Sequence, residues 1–527
     1  MNIPAASRGI PRTPLRDSLW DGRRLKLIFD PPLTHGSDIA LELDGCHFAI
    51  SRSDADAQAG FDFPFSPSGN AAMRVLPRLG RDGPAILDAP LKFSFGVAGL
   101  TASNDLPNAL TPLEDGQLLP LGSDCASPEV VIVVPIYNAT EHVERCLASL
   151  LAHTRGNACL VLIDDASSEP GIAALLEQHA GMSGIRVLRN PRNLGFTANA
   201  NRGLAAAGHA DVVLLNADTE VGPNWLSGLR RAAYARDDTG SATAVSDNAG
   251  AFSVPELEQT NDLPDCWTTS ASARALWQHA GIAYPELPTG NGFCMYLKRA
   301  MLDEVGVFDE AAFPRGYGEE NDLCQRARAR GWHHVIAGNV LVAHARSQSF
   351  GESQRLALGQ VGMAVLRDRY PDYEAQVAAT LYSFERLVLD WRVRRIFSDA
   401  RSNNVPLPRM LWFGGSRPTA TDWEVWLVRH EGDSLILQGP SRPGTEPSIT
   451  RVAPTVATSD SQVQALWTWL QVWAFECVVV GSDDHFGLAS MARALDIPTF
   501  YPDKTDVNAP TYADCAAASR SFAGNSS

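Results

Sequence analysis

Acidic and amide side chains directly follow several apolar, β-branched stretches of this sequence. Asp164 and Asp165 come after one such stretch, and Asn216 and Asp218 come after another. Carboxylate and amide oxygens at strand ends can accept hydrogen bonds from a base or a ribose, or hold a divalent cation on a diphosphate. The same acids could instead cap following helices, and we accept that role for either Asp164 or Asp165. For Asp218, the alternative is a cap ahead of Trp225.

A second acidic group, Glu319, Glu320 and Asp322, lies at the predicted start of a helix. Carboxylates favour helix N-termini, and a solvated first turn would account for the group. Glu320, however, shares the apolar helix face with Leu323 and Cys324, where a buried carboxylate needs a purpose.

Two further polar features end predicted strands. Asn193, Gly195 and Asn199 follow the run 185–188, where glycine allows close backbone approach and asparagine can fix polar ligand groups. Turn chemistry explains much of that pattern. His344 ends the run 340–343, and a satisfied structural histidine is the alternative to a ligand there.

The elements that must position these residues alternate between strand and helix from residue 128 to about 375. The β-branched run 130–134 predicts a strand buried on both faces, and Asn138 and Glu141 have capping-box spacing before a helix. Repeated βα units predict an α/β fold with a mainly parallel sheet, whose ligands bind beyond the carboxyl ends of the strands.

The flanking regions have different patterns. Residues 18–97 alternate β-type runs with turns, with Asp44-Gly45 as a hairpin signal and Phe61, Phe63 and Phe65 at strand spacing. They predict a small all-β sandwich. Near the other end, a strand at 477–481, a helix at 487–495 and a strand at 498–501 predict a smaller α/β unit. The predicted divisions are a flexible N-terminus (1–17), the sandwich (18–97), a linker (98–127), the central α/β domain (128–375), a helical connector (376–404), the second α/β unit (405–515) and a frayed tail (516–527).

Composition excludes some classes of protein. The 527 residues include 44 Lys+Arg and 60 Asp+Glu, a net charge of -16, which disfavours a general nucleic-acid binder. No window offers the ~18 consecutive apolar residues of a membrane span, and no signal peptide is visible. The nine cysteines are scattered without a Cys-x-x-Cys pair, so we expect a cytoplasmic protein with reduced thiols.

Taken together, the motifs resemble the family 2 glycosyltransferases of GT-A fold, in particular the bacterial rhamnosyltransferase-like branch. The similarity in order and spacing spans residues 128 to about 370. Its motifs are Pro-x-Tyr-Asn, Asp-Asp-x-Ser, Asn-x-Gly-Phe, Leu-Asn-x-Asp, Gly-Asn-Gly-Phe, Val-Gly-Val-Phe-Asp, Gly-Glu-Glu-x-Asp-Leu and the late His. Residues 18–97 resemble an accessory β-sandwich, and residues 405–515 resemble a truncated Rossmann-like half of a GT-B glycosyltransferase.

The resemblance implies a role for each group of residues. Asp165 is the better candidate for reading the base, and Asn216 stands where the family has the first Asp of its metal motif. The nucleotide-sugar site would comprise Pro135, Tyr137, Asp164, Asp165, Asn193, Gly195, Asn199, Asn216 and Asp218. The sugar and acceptor pocket would comprise Gly290, Asn291, Gly292 and Phe293, and the ligands of Mn²⁺ or Mg²⁺ would be Asp218, His344 and Asn216.

The family's general base is the second residue of a Glu-Asp pair. Glu319-Glu320 occupies that position here, so Glu320 is the implied base, with Asp322 as the second candidate and Glu319 beside them.

The implied reaction is inverting transfer of a sugar from a nucleotide-diphosphate sugar to a hydroxyl acceptor. The acceptor would be a glycan or lipid-linked glycan in bacterial surface polysaccharide synthesis, which leaves open peripheral association at the inner membrane face. Two alternatives remain: a catalytically inactive nucleotide-sugar or glycan-binding protein, and a sugar nucleotidyltransferase. Against the latter, no lysine or glycine-rich loop follows the first strand of the domain.

Overall fold

The computed structural model describes residues 129–413, apart from 156, 282–283, 346–351 and 382. It also describes seven strands before residue 95 and separate segments between residues 422 and 500. The predicted linker at 98–127 and the phenylalanines Phe63 and Phe65 lie outside the described residues. Among the described residues, no helix is both long and apolar enough to cross a membrane.

The N-terminal strands form two antiparallel sheets. One has the order β1-β2-β5 and the other β4-β3-β6-β7. Leu43 lies opposite Cys46, so the hairpin predicted at Asp44-Gly45 is confirmed. The strands are β1 (Leu15–Trp20), β2 (Arg24–Phe29), β3 (Asp38–Leu43), β4 (Cys46–Arg52), β5 (Gln58–Asp62), β6 (Ala72–Leu79) and β7 (Leu91–Ser94).

The central region contains an eight-stranded sheet in the order β10-β9-β8-β11-β14-β13-β15-β12. All seven residues of its first strand are buried, as the β-branched run predicts. The strands are β8 (Val130–Ile136), β9 (Ala158–Asp164), β10 (Ile185–Arg189), β11 (Asp211–Leu215), β12 (Thr219–Val221), β13 (Thr239–Val245), β14 (Cys294–Leu297) and β15 (His333–His344).

The sheet is mixed: six of its eight strands run in one direction, as expected of a mainly parallel sheet, and β14 and β12 run in the other. β10, β9, β8 and β11 are parallel neighbours, but β14 runs antiparallel to both β11 and β13. The chain enters β14 from the loop 280–293 at the edge where β11 ends, and it must therefore run in the opposite direction. The short β12 pairs antiparallel with the end of β15.

Helices cover both faces of this sheet. Val131 and Val133 belong to the core beneath α3, α6 and α7, whereas Ile132 and Val134 belong to the core beneath α1, α2, α4 and α5. The helices are α1 (Thr140–His153), α2 (Pro170–His179), α3 (Phe196–Ala206), α4 (Trp225–Ala233), α5 (Thr269–His279), α6 (Arg299–Val305), α7 (Glu319–Arg328), α8 (Glu352–Arg369), α9 (Tyr373–Leu381) and α10 (Phe384–Ser398).

The C-terminal segments contain a six-stranded sheet in the order β19-β18-β17-β16-β20-β21. β17, β16, β20 and β21 are parallel neighbours, and the predicted strand, helix and strand after residue 476 are confirmed as β20, α11 and β21. The elements are β16 (Arg409–Phe413), β17 (Glu424–Glu431), β18 (Ser434–Gln438), β19 (Ile449–Val452), β20 (Cys477–Val480), α11 (Leu488–Ala494) and β21 (Thr499–Phe500).

Candidate active site

The two aspartates after β9 have different surroundings. Asp164 is buried; its Oδ1 accepts a hydrogen bond from the Ser167 backbone N–H at 2.8 Å, and its Oδ2 lies 2.9 Å from Nε of Arg189. It therefore closes the turn after β9 rather than capping α2, which begins only at Pro170.

Asp165 holds the loop that follows β10. Its Oδ1 accepts hydrogen bonds from Asn190 Nδ2 at 2.7 Å and from the Leu194 N–H at 2.8 Å, and its Oδ2 accepts one from the Gly195 N–H at 3.0 Å. The carboxylate is buried. These contacts make Asp165 a support of the loop 190–195 at the carboxyl edge of the sheet.

Of the residues in and just after the loop 190–195, two are exposed and two have structural roles. Asn193 and Leu194 are exposed, whereas Asn199 is buried, accepts from Asn190 and donates to the Ile163 carbonyl. Gly195 has φ +89° and lies so close to the Pro314 carbonyl that a Cβ there would be 2.5 Å from its oxygen. The contacts favour Asn193 over Asn199 as a ligand-facing residue.

The turn after β8 carries an exposed aromatic ring. Pro135 is buried within the strand, while Tyr137 is 37% exposed and available to a planar ligand group. The capping box predicted from Asn138 and Glu141 is wrong. Asn138 and Ala139 both have left-handed φ, and Asn138 Oδ1 instead accepts the Ser168 N–H at 2.8 Å, which ties this turn to the one after β9.

Asn216, Asp218 and His344 meet where β12 pairs with the end of β15. Nε2 of His344 lies 3.3 Å from Asp218 Oδ1 and 3.4 Å from the Asn216 side-chain nitrogen. Nδ1 of His344 lies 3.0 Å from the Asn248 carbonyl oxygen, which can only accept, so Nδ1 carries the proton. In that tautomer Nε2 carries a lone pair, which can accept from the Asn216 amide or bind a cation beside the Asp218 carboxylate.

These three side chains are the candidate ligands for the predicted divalent cation. Mg²⁺ and Mn²⁺ sites of this kind use one or two protein carboxylates, and phosphate and water fill the other positions. Within the described ranges, no group of three or more His, Cys, Asp and Glu side chains could hold a metal ion. The candidate metal ligands at this edge are therefore one amide, one carboxylate and one imidazole, with substrate oxygens in the remaining positions.

Sequence reasoning missed the loop after β13, which supports His344. Asp247 Oδ1 accepts the backbone N–H of His344 at 2.9 Å and the hydroxyl of Ser246 at 3.0 Å. Burial raises the pKa of the Asp247 carboxyl. Asp247 lies 97 positions before His344 in the chain, so no local pattern could have found it.

The Gly-Asn-Gly-Phe segment 290–293 connects the histidine to the second acidic group. The Phe293 ring stacks on His344 with centroids 5.3 Å apart, and its carbonyl accepts the Asn216 N–H at 2.9 Å. Asn291 Oδ1 accepts the Phe293 N–H at 3.1 Å, and the backbone N–H of Gly292 acts to lower the pKa of the Glu320 carboxyl, against the larger effect of burial. Gly290 is buried against Met295.

Glu319 and Glu320 begin α7, as predicted. Glu319 is buried, and its Oε2 accepts the Gly318 N–H at 3.0 Å. Oε2 of Glu320 is also buried but has no hydrogen-bond partner among the described residues. Burial raises the pKa of both carboxyls, and the neighbouring Glu320 raises that of Glu319 further.

Asp322 is 0% exposed and is fully occupied by protein donors. It accepts from Arg326 Nε at 2.8 Å, an Arg369 guanidinium nitrogen at 2.8 Å and the Tyr370 hydroxyl at 2.9 Å. Protein donors thus engage both carboxylate oxygens of Asp322, which leaves neither oxygen for an acceptor hydroxyl. Between the two candidate bases, the contacts favour Glu320.

Part of the central region matches a known protein family. Residues 131–305 match the family model described as Glycosyl transferase family 2. An N-acetylglucosaminyl-diphospho-decaprenol L-rhamnosyltransferase of Mycobacterium tuberculosis is 25% identical over 247 residues, which is 42% of this chain and 77% of the relative.

Two solved structures are similar at lower identity. A mannosyltransferase from Pyrobaculum calidifontis in complex with GDP-Man and Mn²⁺ is 18% identical, with a TM-score of 0.34, over 51% of this chain and 73% of the other. GalNAc-T7 with UDP, GalNAc and Mn²⁺ is also 18% identical, with a TM-score of 0.34, over 62% of this chain and 68% of the other.

The mixed α/β sheet and the family match define the central region as a GT-A-like nucleotide-sugar transferase fold. The chain carries a glycosyltransferase family 2 domain at residues 131–305, and the protein is a glycosyltransferase. α7 with its glutamates and the end of β15 with His344 lie beyond the residues that match the family model.

Proposed function

We propose that this protein moves a sugar from a nucleotide-diphosphate sugar to a hydroxyl acceptor with inversion at the anomeric carbon. One observation carries the proposal: Oε2 of Glu320 is buried and has no hydrogen-bond partner among the described residues. Gly292 and Phe293 connect the surroundings of Glu320 to His344. A buried carboxylate oxygen without a donor is costly unless a ligand hydroxyl supplies one.

Different residues at the carboxyl edge would bind different parts of the sugar donor. Tyr137 offers a ring to the base, and Asp164 and Asn193 lie on the turns beside it. Asp165 orders the loop that Asn193 occupies, and we retain Asp165 as a candidate for reading the base. Asn216, Asp218 and His344 would hold the cation, which offsets the charge that develops on the departing diphosphate.

Glu320 acts on the acceptor. Its carboxylate takes the proton from the acceptor hydroxyl as the oxygen attacks the anomeric carbon, and the bond to the diphosphate breaks on the opposite face. A positioned general base contributes about 10²–10⁴-fold to the rate. Burial helps because a raised pKa makes the carboxylate a stronger base near neutral pH.

The donor and acceptor classes rest on the relative. The Mycobacterium tuberculosis enzyme is named for L-rhamnosyl transfer to N-acetylglucosaminyl-diphospho-decaprenol. We therefore propose a thymidine-diphosphate rhamnose donor and a polyprenyl-diphosphate-linked glycan acceptor, in the synthesis of bacterial surface polysaccharide.

A donor panel tests the proposal directly. The protein is incubated with dTDP-rhamnose, UDP-N-acetylglucosamine or GDP-mannose, with Mn²⁺ or with EDTA, and release of nucleoside diphosphate is measured. We expect the protein to turn over one of these donors. EDTA should abolish this turnover, and Asp218→Ala should remove it. If a donor raises the thermal stability of the protein but no donor is turned over, an inactive binding protein is favoured. Release of pyrophosphate from a nucleoside triphosphate and a sugar phosphate would favour a nucleotidyltransferase.

A further inference from the structure

One face of α8 lies against the segment that leads into α7. Gly362, Leu366, Arg369 and Tyr370 have the i, i+4, i+7, i+8 spacing of a single helix face. At position 362 only glycine fits, because any Cβ would collide with the Tyr317 carbonyl. Leu366 is 0% exposed and packs in a cluster with Phe313 and Tyr373.

Arg369 on this face joins two acids that belong to separate sequence motifs. One guanidinium nitrogen lies 2.8 Å from Asp322 Oδ1, and the other lies 2.9 Å from Asp309 Oδ2. The guanidinium also lies over the Phe313 ring, 5.8 Å from its centroid. Arg369 follows Asp322 by 47 positions and lies beyond the residues that match the family model.

The first turn of α7 is held by contacts from other parts of the chain, such as those of Thr289 and Arg369, rather than by a cap of its own. No side chain caps the helix at Gly318, and the preceding Gly316 and Tyr317 have φ of 86° and 69°, outside regular structure. Asp322 and Glu320 belong to the same first helical turn. Because that turn is rigid once its hydrogen bonds form, an anchor on Asp322 also fixes the direction of the Glu320 carboxylate.

We propose that Arg369 is a positioning residue for the Glu320 carboxylate and that it acts through Asp322. The inference rests on the proposed function of Glu320 as general base. Asp322 then has no proton to remove. Two arginines and a tyrosine donate to its carboxylate, and α8 supports the helix that carries the base.

Kinetics of matched arginine variants test the proposal. Arg369→Met should lower kcat by about 100-fold, the cost of a small misplacement of a catalytic group, with KM for the donor unchanged. Arg369→Lys should recover part of the loss, since one ammonium can replace one of the two contacts. Arg367→Met is the control: it lies on the same helix, but its partner is the exposed Glu374, and it should behave as wild type.

Amide hydrogen exchange supplies a readout that does not depend on activity. Exchange should accelerate within residues 316–328 in Arg369→Met, and to a smaller extent in Tyr370→Phe, which removes only the hydroxyl donor to Asp322. Exchange elsewhere should match Arg367→Met.

The outcomes separate this proposal from the proposed function. If the wild type turns over no donor, the proposed function fails, and the exchange of residues 316–328 still decides whether Arg369 anchors α7. Equal kcat and equal exchange in Arg369→Met and Arg367→Met would overturn the positioning role. So would a general loss of protection with a raised KM, which would show a merely structural residue.

Discussion

At the residue scale, the central feature is a pair of adjacent glutamates, of which Glu319 is buried and Glu320 is half-buried. Like charges in a poorly solvated site cannot both ionise easily, and burial raises the pKa of both the Glu319 and Glu320 carboxyls. The pKa of Glu319 is raised further by its neighbour, so Glu319 is the member of the pair that stays protonated more readily. Glu320, whose free oxygen lacks a described donor, is then the member that ionises and accepts a proton from the acceptor.

The raised pKa of Glu319 predicts how stability changes with pH. Its folded-state pKa exceeds its unfolded value, about 4.3, so wild-type stability falls as pH rises from that value toward the folded pKa. Glu319→Gln removes this dependence. Urea unfolding at pH 4.5 and pH 8 should show the variant gaining stability relative to wild type at the higher pH only.

The matched control for this test is Glu374→Gln. Glu374 is exposed beside Arg367, and its pKa is lowered, so this variant should show no gain at pH 8. An equal effect of pH on wild type and Glu319→Gln would contradict the raised pKa.

At the scale of elements, two loops at the carboxyl edge of the sheet interlock. Gly195 lies against the Pro314 carbonyl, and the Thr197 hydroxyl donates to the Phe313 carbonyl. The loop 190–195, which Asp165 also holds, is thus joined to the segment that leads into α7. The loop 190–195 and the start of α7, which carries the proposed base Glu320, are therefore supported as one structure.

Gly195→Ala tests this interlock. The new methyl group would lie 2.5 Å from the Pro314 carbonyl oxygen, so the two loops must separate. Gly208→Ala is the control, because Gly208 also has positive φ, +62°, but nothing lies within 4 Å of the added methyl. Both variants place alanine at a positive φ, which costs roughly 1–3 kcal/mol, but only Gly195→Ala should also weaken donor binding in calorimetry. Equal donor affinity in the two variants would contradict the interlock.

The sequence predicted most of the strands and the place where polar residues gather, because both depend on local patterns. The run 130–134 and the acids after β9 and β11 are examples. The antiparallel direction of β14 was not predicted, since a short apolar strand carries no sign of its orientation. The partners of Asp322 and His344 could not be found either, because Arg369 and Asp247 lie 47 and 97 positions away.

At the scale of the whole molecule, the C-terminal segments dock on the central region through buried polar contacts. Arg274 on α5 binds Glu476 with Nε and Oε1 2.7 Å apart, and their side chains are only 11% and 7% exposed. Gln278 on α5 donates to the Leu407 carbonyl at 2.7 Å, and Arg231 on α4 donates to that of Leu495 at 3.0 Å. The C-terminal unit thus packs on two helices of the central region.

The ion pair at this contact should matter for stability. Glu476→Gln leaves Arg274 buried without its counter-charge, which should lower the free energy of unfolding by about 3–5 kcal/mol. Glu374→Gln removes an exposed partner of Arg367 and should leave the free energy of unfolding nearly unchanged. Denaturant unfolding compares the two, and a similar small cost in both would contradict a firmly docked C-terminal unit.

The central claim is that Glu320 removes the proton from the acceptor. The most direct measurement compares wild type with Glu320→Gln in sugar transfer, alongside calorimetric binding of the nucleoside diphosphate of the accepted donor with Mn²⁺. We predict that transfer falls by about 10²–10⁴-fold, the contribution of a general base, while the affinity for the nucleotide is unchanged. Unchanged turnover in Glu320→Gln would contradict the assignment.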